Sequence, residues 1–329
     1  MKKVLLVLIL TASVSYAAPV SLISESTYLA GQTRTATGNT YSHVIDGQTA
    51  YVEFMKGGVT KIQNINGVQT SSVLFTQTDW AAASGGSASL TAFYGFGMSG
   101  NNLIWTDTAS DAVWTANTTT GAITNIVSKT AIGSFVGGTA ATNGAFTVAP
   151  NGGLTFMETG TKTMLNVDLS GNLTTVLPAG FTENSIISGL TYDSAGRVYW
   201  GDNTADTIYR KATDGSIEAV ISSSEVYALT NQTNASFNDI FAGPNGWMYF
   251  YEAADNSILQ FNISNPEATL SILVETSGRA NTFGLYSNGG VDYLTYHAYT
   301  GDIMGVVVPE PTTIGLLSLG GLLLRRFKK

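Results

Sequence analysis

The sequence predicts an all-β fold, a six-bladed β-propeller, from three observations. Six times, a short apolar segment runs through a glycine-containing turn into an aromatic-rich segment, which is the pattern of a β-hairpin. The turn glycines are separated by 53, 52, 44, 50 and 43 residues, which is the length of one propeller blade. A second hairpin follows most of the first ones, so that each repeat supplies four strands. The six turn glycines are Gly47, Gly100, Gly152, Gly196, Gly246 and Gly289.

The last repeat lacks its outer strand. Second hairpins are predicted in repeats 2 to 5, at 112–127, 163–177, 207–221 and 258–274. The sixth repeat stops at residue 307, where a different kind of sequence begins. We therefore expect the run 21–29 to supply the missing outer strand and close the ring, with the propeller spanning 18–307.

The first 17 residues have the order of a secretory signal peptide. Met1-Lys2-Lys3 is basic, residues 4–10 are apolar, and Ser15-Tyr16-Ala17 offers the small residues that a signal peptidase reads. The expected cleavage lies between Ala17 and Ala18, which predicts export.

The segment 308–329 has three parts: Pro309-Glu310-Pro311, an apolar run at 312–324, and a basic end. The apolar run is shorter than the roughly 20 residues of a stable transmembrane helix, so we predict a short transmembrane-like helix that anchors the chain temporarily. Basic residues are expected to stay at the cytoplasmic face. The alternative is a buried C-terminal helix. The basic residues are Arg325, Arg326, Lys328 and Lys329.

This tail resembles the PEP-CTERM sorting signal, with Pro309, Glu310 and Pro311 as the sorting motif. The resemblance implies an exosortase-type partner that processes the chain near this motif after transient anchoring in the inner membrane. It also implies a Gram-negative bacterium that makes extracellular polysaccharide. The expected destination is the cell surface or the extracellular matrix.

Residues 189–202 carry a second resemblance. The segment Gly-Leu-Thr-Tyr-Asp-Ser-Ala-Gly-Arg-Val-Tyr-Trp-Gly-Asp is similar to the propellers of the NHL, YWTD and gluconolactonase-like groups. The resemblance implies the fold rather than an activity. Other blades depart from the pattern, with Glu158 and Glu252 in place of aspartate and His297 at the sixth position.

Composition narrows the chemistry. The chain has no cysteine, which excludes disulfides and thiolate catalysis. The two terminal segments hold six of the 15 basic residues and one of the 23 acidic ones, so the body carries a net charge of −13. We therefore expect no nucleic-acid partner.

Acidic residues close the aromatic-rich segment in four repeats, at equivalent positions. One interpretation is a carboxylate ring near the channel that binds Ca²⁺, the candidate cofactor, as the resemblance to lactonase-type propellers makes conceivable. The other is that each acid accepts hydrogen bonds from the backbone at the end of its strand. A role that recurs in each blade favours the structural interpretation. The four residues are Asp107, Glu158, Asp202 and Glu252.

Two further groups of side chains bear on a site. His43 and His297 lie on predicted strands of the first and last blades, where together with Asp46 they can hold a metal or move a proton, or simply pack. Trp80 and Trp114 are the tryptophans that we expect to be exposed, where they can stack on sugars. No nucleophile elbow or phosphate-binding loop is present.

Three hypotheses for function remain open. The first is an exported, exosortase-processed surface or matrix protein whose propeller is a non-catalytic binding or structural module, with extracellular polysaccharide as the candidate partner. The second is a secreted, Ca²⁺-dependent lactonase-like hydrolase. The third is a platform for protein interactions, which the sequence does not separate from the first.

Overall fold

The chain forms a ring of six four-stranded antiparallel sheets, as the sequence predicts. The computed structural model describes residues 18–29, 40–54, 58–85, 96–181, 187–212, 214–233, 236–298 and 300–308. The predicted signal peptide, sorting motif and basic tail lie outside these residues. All described strands lie between residues 20 and 307, so no strand of the six sheets belongs to either terminal segment.

Blades 1 to 5 are each built from four consecutive strands, whereas blade 6 combines the last three strands with the first. The strands are numbered along the chain. Blades 1 to 3 contain β2 (Thr40–Asp46), β3 (Thr49–Phe54), β4 (Gly58–Gln63) and β5 (Thr70–Thr76); β6 (Gly97–Ser99), β7 (Asn102–Asp107), β8 (Ala112–Asn117) and β9 (Ile123–Val127); and β10 (Thr142–Val148), β11 (Leu154–Glu158), β12 (Thr163–Val167) and β13 (Leu173–Leu177). Blades 4 to 6 contain β14 (Ile187–Tyr192), β15 (Val198–Asp202), β16 (Thr207–Lys211) and β17 (Ile217–Ile221); β18 (Phe237–Ala242), β19 (Trp247–Glu252), β20 (Ser257–Asn262) and β21 (Ser271–Glu275); and β22 (Ala280–Asn288), β23 (Val291–Ala298), β24 (Ile303–Val307) and β1 (Val20–Ile23).

The turns between the first two strands of each blade depend on glycine. All six predicted turn glycines have positive φ, from +55° at Gly47 to +79° at Gly152. This left-handed region is open to glycine without a steric penalty, which explains the spacing of glycines in the sequence.

An N-terminal strand closes the ring. β1 pairs antiparallel with β24, with Val20 opposite Gly305, and so becomes the outer strand of blade 6. The predicted run was too long as a strand, because the chain turns into helix α1 (Glu25–Leu29) after Ile23. The turn buries Tyr28, whose hydroxyl donates to the Gly301 carbonyl.

Short helices join the outer strand of some blades to the next inner strand. α2 begins with a capping box, in which Thr76 and Asp79 bond each other's backbone. α3 ends at Gly137, which has a φ of +74°. No helix among the described residues has the length and apolar character needed to cross a membrane. Beyond α1, the described helices that join blades are α2 (Gln77–Ala83), α3 (Lys129–Val136) and α4 (Ser223–Thr230), whereas α5 (Pro266–Thr269) joins β20 to β21 within blade 5.

Apolar clusters between neighbouring blades form the core. Between blades 1 and 2, Trp80 lies 5.3 Å from Trp105 and 4.8 Å from Trp114, measured between ring centroids. The expectation that Trp80 and Trp114 are exposed was wrong, since their exposed fractions are 0% and 6%. Trp80 lies on α2, whose packing against blades 1 and 2 turns the indole inward.

Candidate functional site

A cavity of about 580 Å³ lies at the centre of the ring. The first strand of every blade contributes to its wall, so these six are called the inner strands: β2, β6, β10, β14, β18 and β22. The volume is that of a site for a small organic ligand. Because the inner strands are equivalent in the six repeats, their first residues share one end of the cavity. This end is called the amino end, and the opposite one the carboxyl end.

The wall of the cavity changes character along its length. The charged and most of the polar residues of the wall lie at the amino end, whereas half-buried apolar residues, together with Thr147 and Thr191, lie further along the strands. The polar and charged residues of the amino end are Ser42, Ser188, Asn238, Asp239, Arg279 and Thr282. The apolar residues are Val44, Met98, Phe146, Val148, Phe241 and Leu285. The cavity therefore offers hydrogen bonds and charge at one end and an apolar surface towards the other.

Bulges shape the amino end. In five blades the pairing of the inner strand with its neighbour shifts register near its start. In blades 4 and 6 the extra residues are Gly189 and Thr282, and in blade 5 Asn238 and Asp239 stand opposite a single residue of the next strand. A bulge redirects side chains out of the regular alternation of a strand, and bulges are frequent beside functional sites.

Asp239 is the carboxylate in the described wall of the cavity. Its Oδ1 accepts from the Ile240 N–H at 2.9 Å, and its Oδ2 accepts from the Phe283 N–H of blade 6 at 3.0 Å. The residue is half-buried and lines the cavity. Burial raises the pKa of Asp239 to about 7, although the two N–H groups oppose the shift.

Gly189 allows the bulge of blade 5 to approach blade 4. Its φ is +78°, and a Cβ at this position would lie 2.4 Å from the Ile240 nitrogen and 2.8 Å from the Asp239 Cα. Any side chain here would displace the backbone that carries Asp239. Asp239 is therefore positioned by blade 4 on one side and by blade 6 on the other.

Two residues of blade 6 stand at the same end of the cavity. Thr282 has a φ of +42°, which is unusual for a β-branched residue, and its buried hydroxyl has no hydrogen-bond partner among the described residues. Arg279 precedes β22 and is exposed. It forms no salt bridge with a described residue, whereas Arg197 pairs with Asp193 and Arg210 with Glu218.

The four repeated acids lie one strand further out. Each ends the second strand of its blade, and in three blades it lies opposite the beginning of the inner strand. Asp107 accepts from the backbone of Ala109 at 3.2 Å and of Ser110 at 2.8 Å. Asp202 accepts from Thr204 and Ala205 at 2.9 and 3.0 Å. Burial raises the pKa of Asp107, and the N–H groups of its turn oppose that shift.

The two glutamates reach further than the aspartates. Glu158 accepts from Gly160 and Thr161 in its own turn, both at 2.8 Å, and from the Ala141 N–H just before the inner strand at 3.0 Å. Glu252 repeats this pattern, with a 2.8 Å bond from the Ser236 N–H. The longer side chain thus ties the inner strand to the turn, a structural reason for glutamate in blades 3 and 5.

This geometry is what the structural interpretation of the four acids expects, and their metal-binding role stays a prediction. Among the described residues, no three His, Asp or Glu side chains come together in a way that could hold a metal ion. Ca²⁺ takes six to eight oxygen ligands. The single described carboxylate of the cavity, Asp239, already accepts two N–H bonds, so the described residues do not fit a Ca²⁺ site.

The two histidines meet where the ring closes. His43 Nε2 lies 2.8 Å from the Thr295 hydroxyl, and His297 Nε2 lies 3.0 Å from the Gly301 carbonyl. Burial and the neighbouring His297 lower the pKa of His43 to about 3, and burial lowers the pKa of His297 to about 4. Both rings are therefore neutral near pH 7. Asp46 is exposed at the far end of β2 and does not join them.

Register corrects one further assignment. In blade 6, Ala298 rather than His297 lies opposite the first residue of the inner strand. Blade 6 thus has no acid at this position.

Sequence reasoning missed Asp239, Thr282 and Arg279. A signal is present, because polar residues interrupt the apolar inner strand near its beginning, as in Asn238-Asp239. The same pattern is typical of a surface loop. Only the register of the bulges shows that these residues face a cavity.

No protein-family model and no curated protein matches this sequence. Solved structures with a similar fold are gluconolactonase-like and NHL-type six-bladed propellers. The virginiamycin B lyase of Staphylococcus aureus is 12% identical, with a TM-score of 0.55 over 83% of this chain and 96% of its own. A calcium-binding regucalcin of Agrobacterium tumefaciens is 12% identical, with a TM-score of 0.57 over 90% and 96%. A putative gluconolactonase is 13% identical, with a TM-score of 0.55 over 88% and 97%. At this identity the likeness establishes the fold alone.

Proposed function

We propose that this chain is an exported, exosortase-processed protein of the cell surface or extracellular polysaccharide matrix, whose propeller binds a ligand in its central cavity without transforming it. The observation that carries the binding half is the cavity itself, which is polar at one end and lined by half-buried apolar side chains beyond. Such exposed apolar surface in a cavity of ligand size is typical of a binding site.

The ionisable groups of the described cavity support a binding role. His43 is buried, neutral and bonded to Thr295, and both oxygens of Asp239 accept backbone N–H groups. A general acid and base must reach the reacting atoms in suitable protonation states. An acid whose two oxygens are already engaged by the fold suits recognition better than proton transfer.

Binding is tested with residues 18–308, which hold all six described sheets. The probes are oligosaccharides from the producing bacterium's own extracellular polysaccharide, measured by calorimetry, with mass spectrometry of the recovered ligand. We expect saturable binding and an unchanged ligand. Val44→Trp fills the cavity wall and should abolish binding, whereas Val68→Trp, at a position 87% exposed, should not. Binding that survives Val44→Trp would place the ligand elsewhere.

Export and processing rest on the two terminal segments. In an exosortase-carrying Gram-negative host, we expect the surface form to begin at Ala18 and to end near Pro309. Glu310→Ala should hold the chain in the membrane fraction. Glu267→Ala is the matched control, because Glu267 also follows a proline but lies in the body. A full-length chain in the cytoplasm would contradict the proposal.

The hydrolase is the second candidate, and Asp239 is the observation that favours it. A carboxyl group with a pKa near 7 in a cavity is a typical general acid or base. Lactone hydrolysis by residues 18–308 that disappears in Asp239→Asn would favour the hydrolase over the binding module. A chelator wash before the assay shows whether that activity needs Ca²⁺.

A further inference from the structure

The amino end of the cavity combines features that bear on the charge of its ligand. Of the described residues that line the cavity, Arg279 is the cation, and no described carboxylate neutralises it. The other described arginines, Arg197 and Arg210, are paired with acids. The body has a large excess of acidic groups, so an arginine without a carboxylate partner among the described residues is unusual.

Thr282 is the second, independent feature. Its backbone conformation is strained for a β-branched residue, and its buried hydroxyl lacks a partner among the described residues. Both conditions cost stability, and such strain persists mainly at sites where it serves a function. Rotation about χ1 can turn this hydroxyl towards a ligand at the amino end.

We propose that the central cavity binds a small amphipathic organic anion, with its carboxylate or phosphate group held by Arg279 and Thr282 and its apolar part against the inner strands. A guanidinium group matches both anions with two parallel hydrogen bonds. The half-buried Phe146, Phe241 and Leu285 supply the apolar surface beyond. This inference rests on the proposed function, since it names the class of ligand for the same cavity.

The remaining charged groups of the cavity agree with an anion. The pKa of Asp239 is raised to about 7, so its carboxyl group is partly neutral at physiological pH. His43 stays uncharged and neither attracts nor repels the ligand. Repulsion from the acidic surface is screened beyond about 8 Å at physiological salt, so the local arginine decides.

The test compares three probes on residues 18–308: 4-phenylbutyrate, phenyl phosphate and the neutral 4-phenylbutanamide. We expect at least one anion to bind roughly ten-fold more tightly than the amide. Which anion binds more tightly distinguishes a carboxylate site from a phosphate site. Arg279→Gln should remove the preference, and Arg279→Lys should leave part of it because the charge remains without the planar fork. Arg210→Gln, at an arginine of β16 that does not line the cavity, should leave the preference unchanged.

Three results would overturn the inference: no binding of either anion at roughly 1 mM, equal affinity for acid and amide, or a preference that survives Arg279→Gln in a protein whose unfolding is unchanged. If the acid and the amide bind equally and Val44→Trp abolishes the binding of both, the cavity is a binding site and only the proposed preference for an anion is wrong. If no probe binds, the oligosaccharide experiment still decides the proposed function separately.

Discussion

Four repeated acidic residues and one single acid, Asp239, lie at the same end of this propeller, and their surroundings differ. Asp107, Glu158, Asp202 and Glu252 each accept the N–H groups of the turn that follows their own strand. Asp239 lies one strand further in, where its partners come from its own bulge and from blade 6. The first set recurs from blade to blade, whereas the inner strands of the other blades present no described acid to the cavity.

This difference separates the fold from the site. A side chain that performs the same task in several blades solves a problem that every blade has, which here is the buried backbone of a turn. A side chain that occurs in one blade only is expected to act at a feature that the ring contains only once. The central cavity is such a feature. The comparison predicts loss of stability at the repeated positions and altered pH dependence at the single one.

Removal of a repeated acid should have the largest effect. Glu158→Ala leaves the N–H groups of Ala141, Gly160 and Thr161 without their acceptor, and we expect a loss of about 3 kcal/mol in the free energy of unfolding. Urea denaturation measures it. Asp168→Ala is the control, because Asp168 bonds a comparable turn through solvent-exposed hydrogen bonds, and its loss should be clearly smaller than that of Glu158→Ala. Equal losses would mean that burial is not what makes the repeated acids matter.

The backbone behind Asp239 should be nearly as sensitive. Gly189→Ala places a Cβ 2.4 Å from the Ile240 nitrogen, and we expect a loss of about 2 to 3 kcal/mol from strain and displaced backbone. Gly196→Ala is a close control, since its φ is +77° but nothing lies within 4 Å of the new Cβ. That variant should lose about 1 kcal/mol in thermal or urea unfolding. A similar loss in both would show that the approach of blade 4 to Asp239 is not tight.

The single acid should reveal itself through pH. The folded protein holds a proton on Asp239 up to about pH 7, whereas the unfolded chain releases it near the usual pKa of 3.8. The neutral form of Asp239 therefore makes its full contribution to the free energy of unfolding below pH 3.8. This contribution is lost as the pH rises to 7. Relative to Asp239→Asn, the free energy of unfolding of the native protein should fall by about 2 kcal/mol over this pH range.

A comparison of the two proteins at each pH is needed, because the histidines act with the opposite sign. The pKa values of His43 and His297 are lowered, so their contribution falls as the pH decreases from 6.5 towards 3. Both histidines are present in both proteins, and their effect cancels in the difference. A difference that stays flat from pH 4 to 7 would mean that Asp239 titrates normally.

The repeated part of the molecule was accessible from sequence, and the single part was not. Glycine spacing predicted six blades, the missing outer strand of the last repeat predicted closure by an N-terminal strand, and the recurring acids were placed at equivalent positions. Asp239 and Thr282 do not recur, and their direction depends on bulges that shift the register by one residue. A shift of one residue exchanges the two faces of a strand, so a pattern of apolar and polar residues does not locate the cavity. Trp80 failed for a related reason, because its helix was not predicted.

The smallest effect should come from relieving strain in the cavity wall, and its sign is the informative part. Thr282→Gly removes a β-branched side chain at a φ of +42° together with an unpaired buried hydroxyl, and we expect a gain of about 0.5 to 1 kcal/mol in unfolding free energy. Thr147→Gly is the control, since Thr147 also lines the cavity on an inner strand but its φ is not positive. It should lose about 1 kcal/mol, as glycine does within a strand. A loss of unfolding free energy in both variants would mean that Thr282 is not strained. A higher free energy of unfolding together with weaker anion binding would show that Thr282 lowers the stability of the protein and contributes to the site. The repeated acids, in contrast, are expected to raise stability.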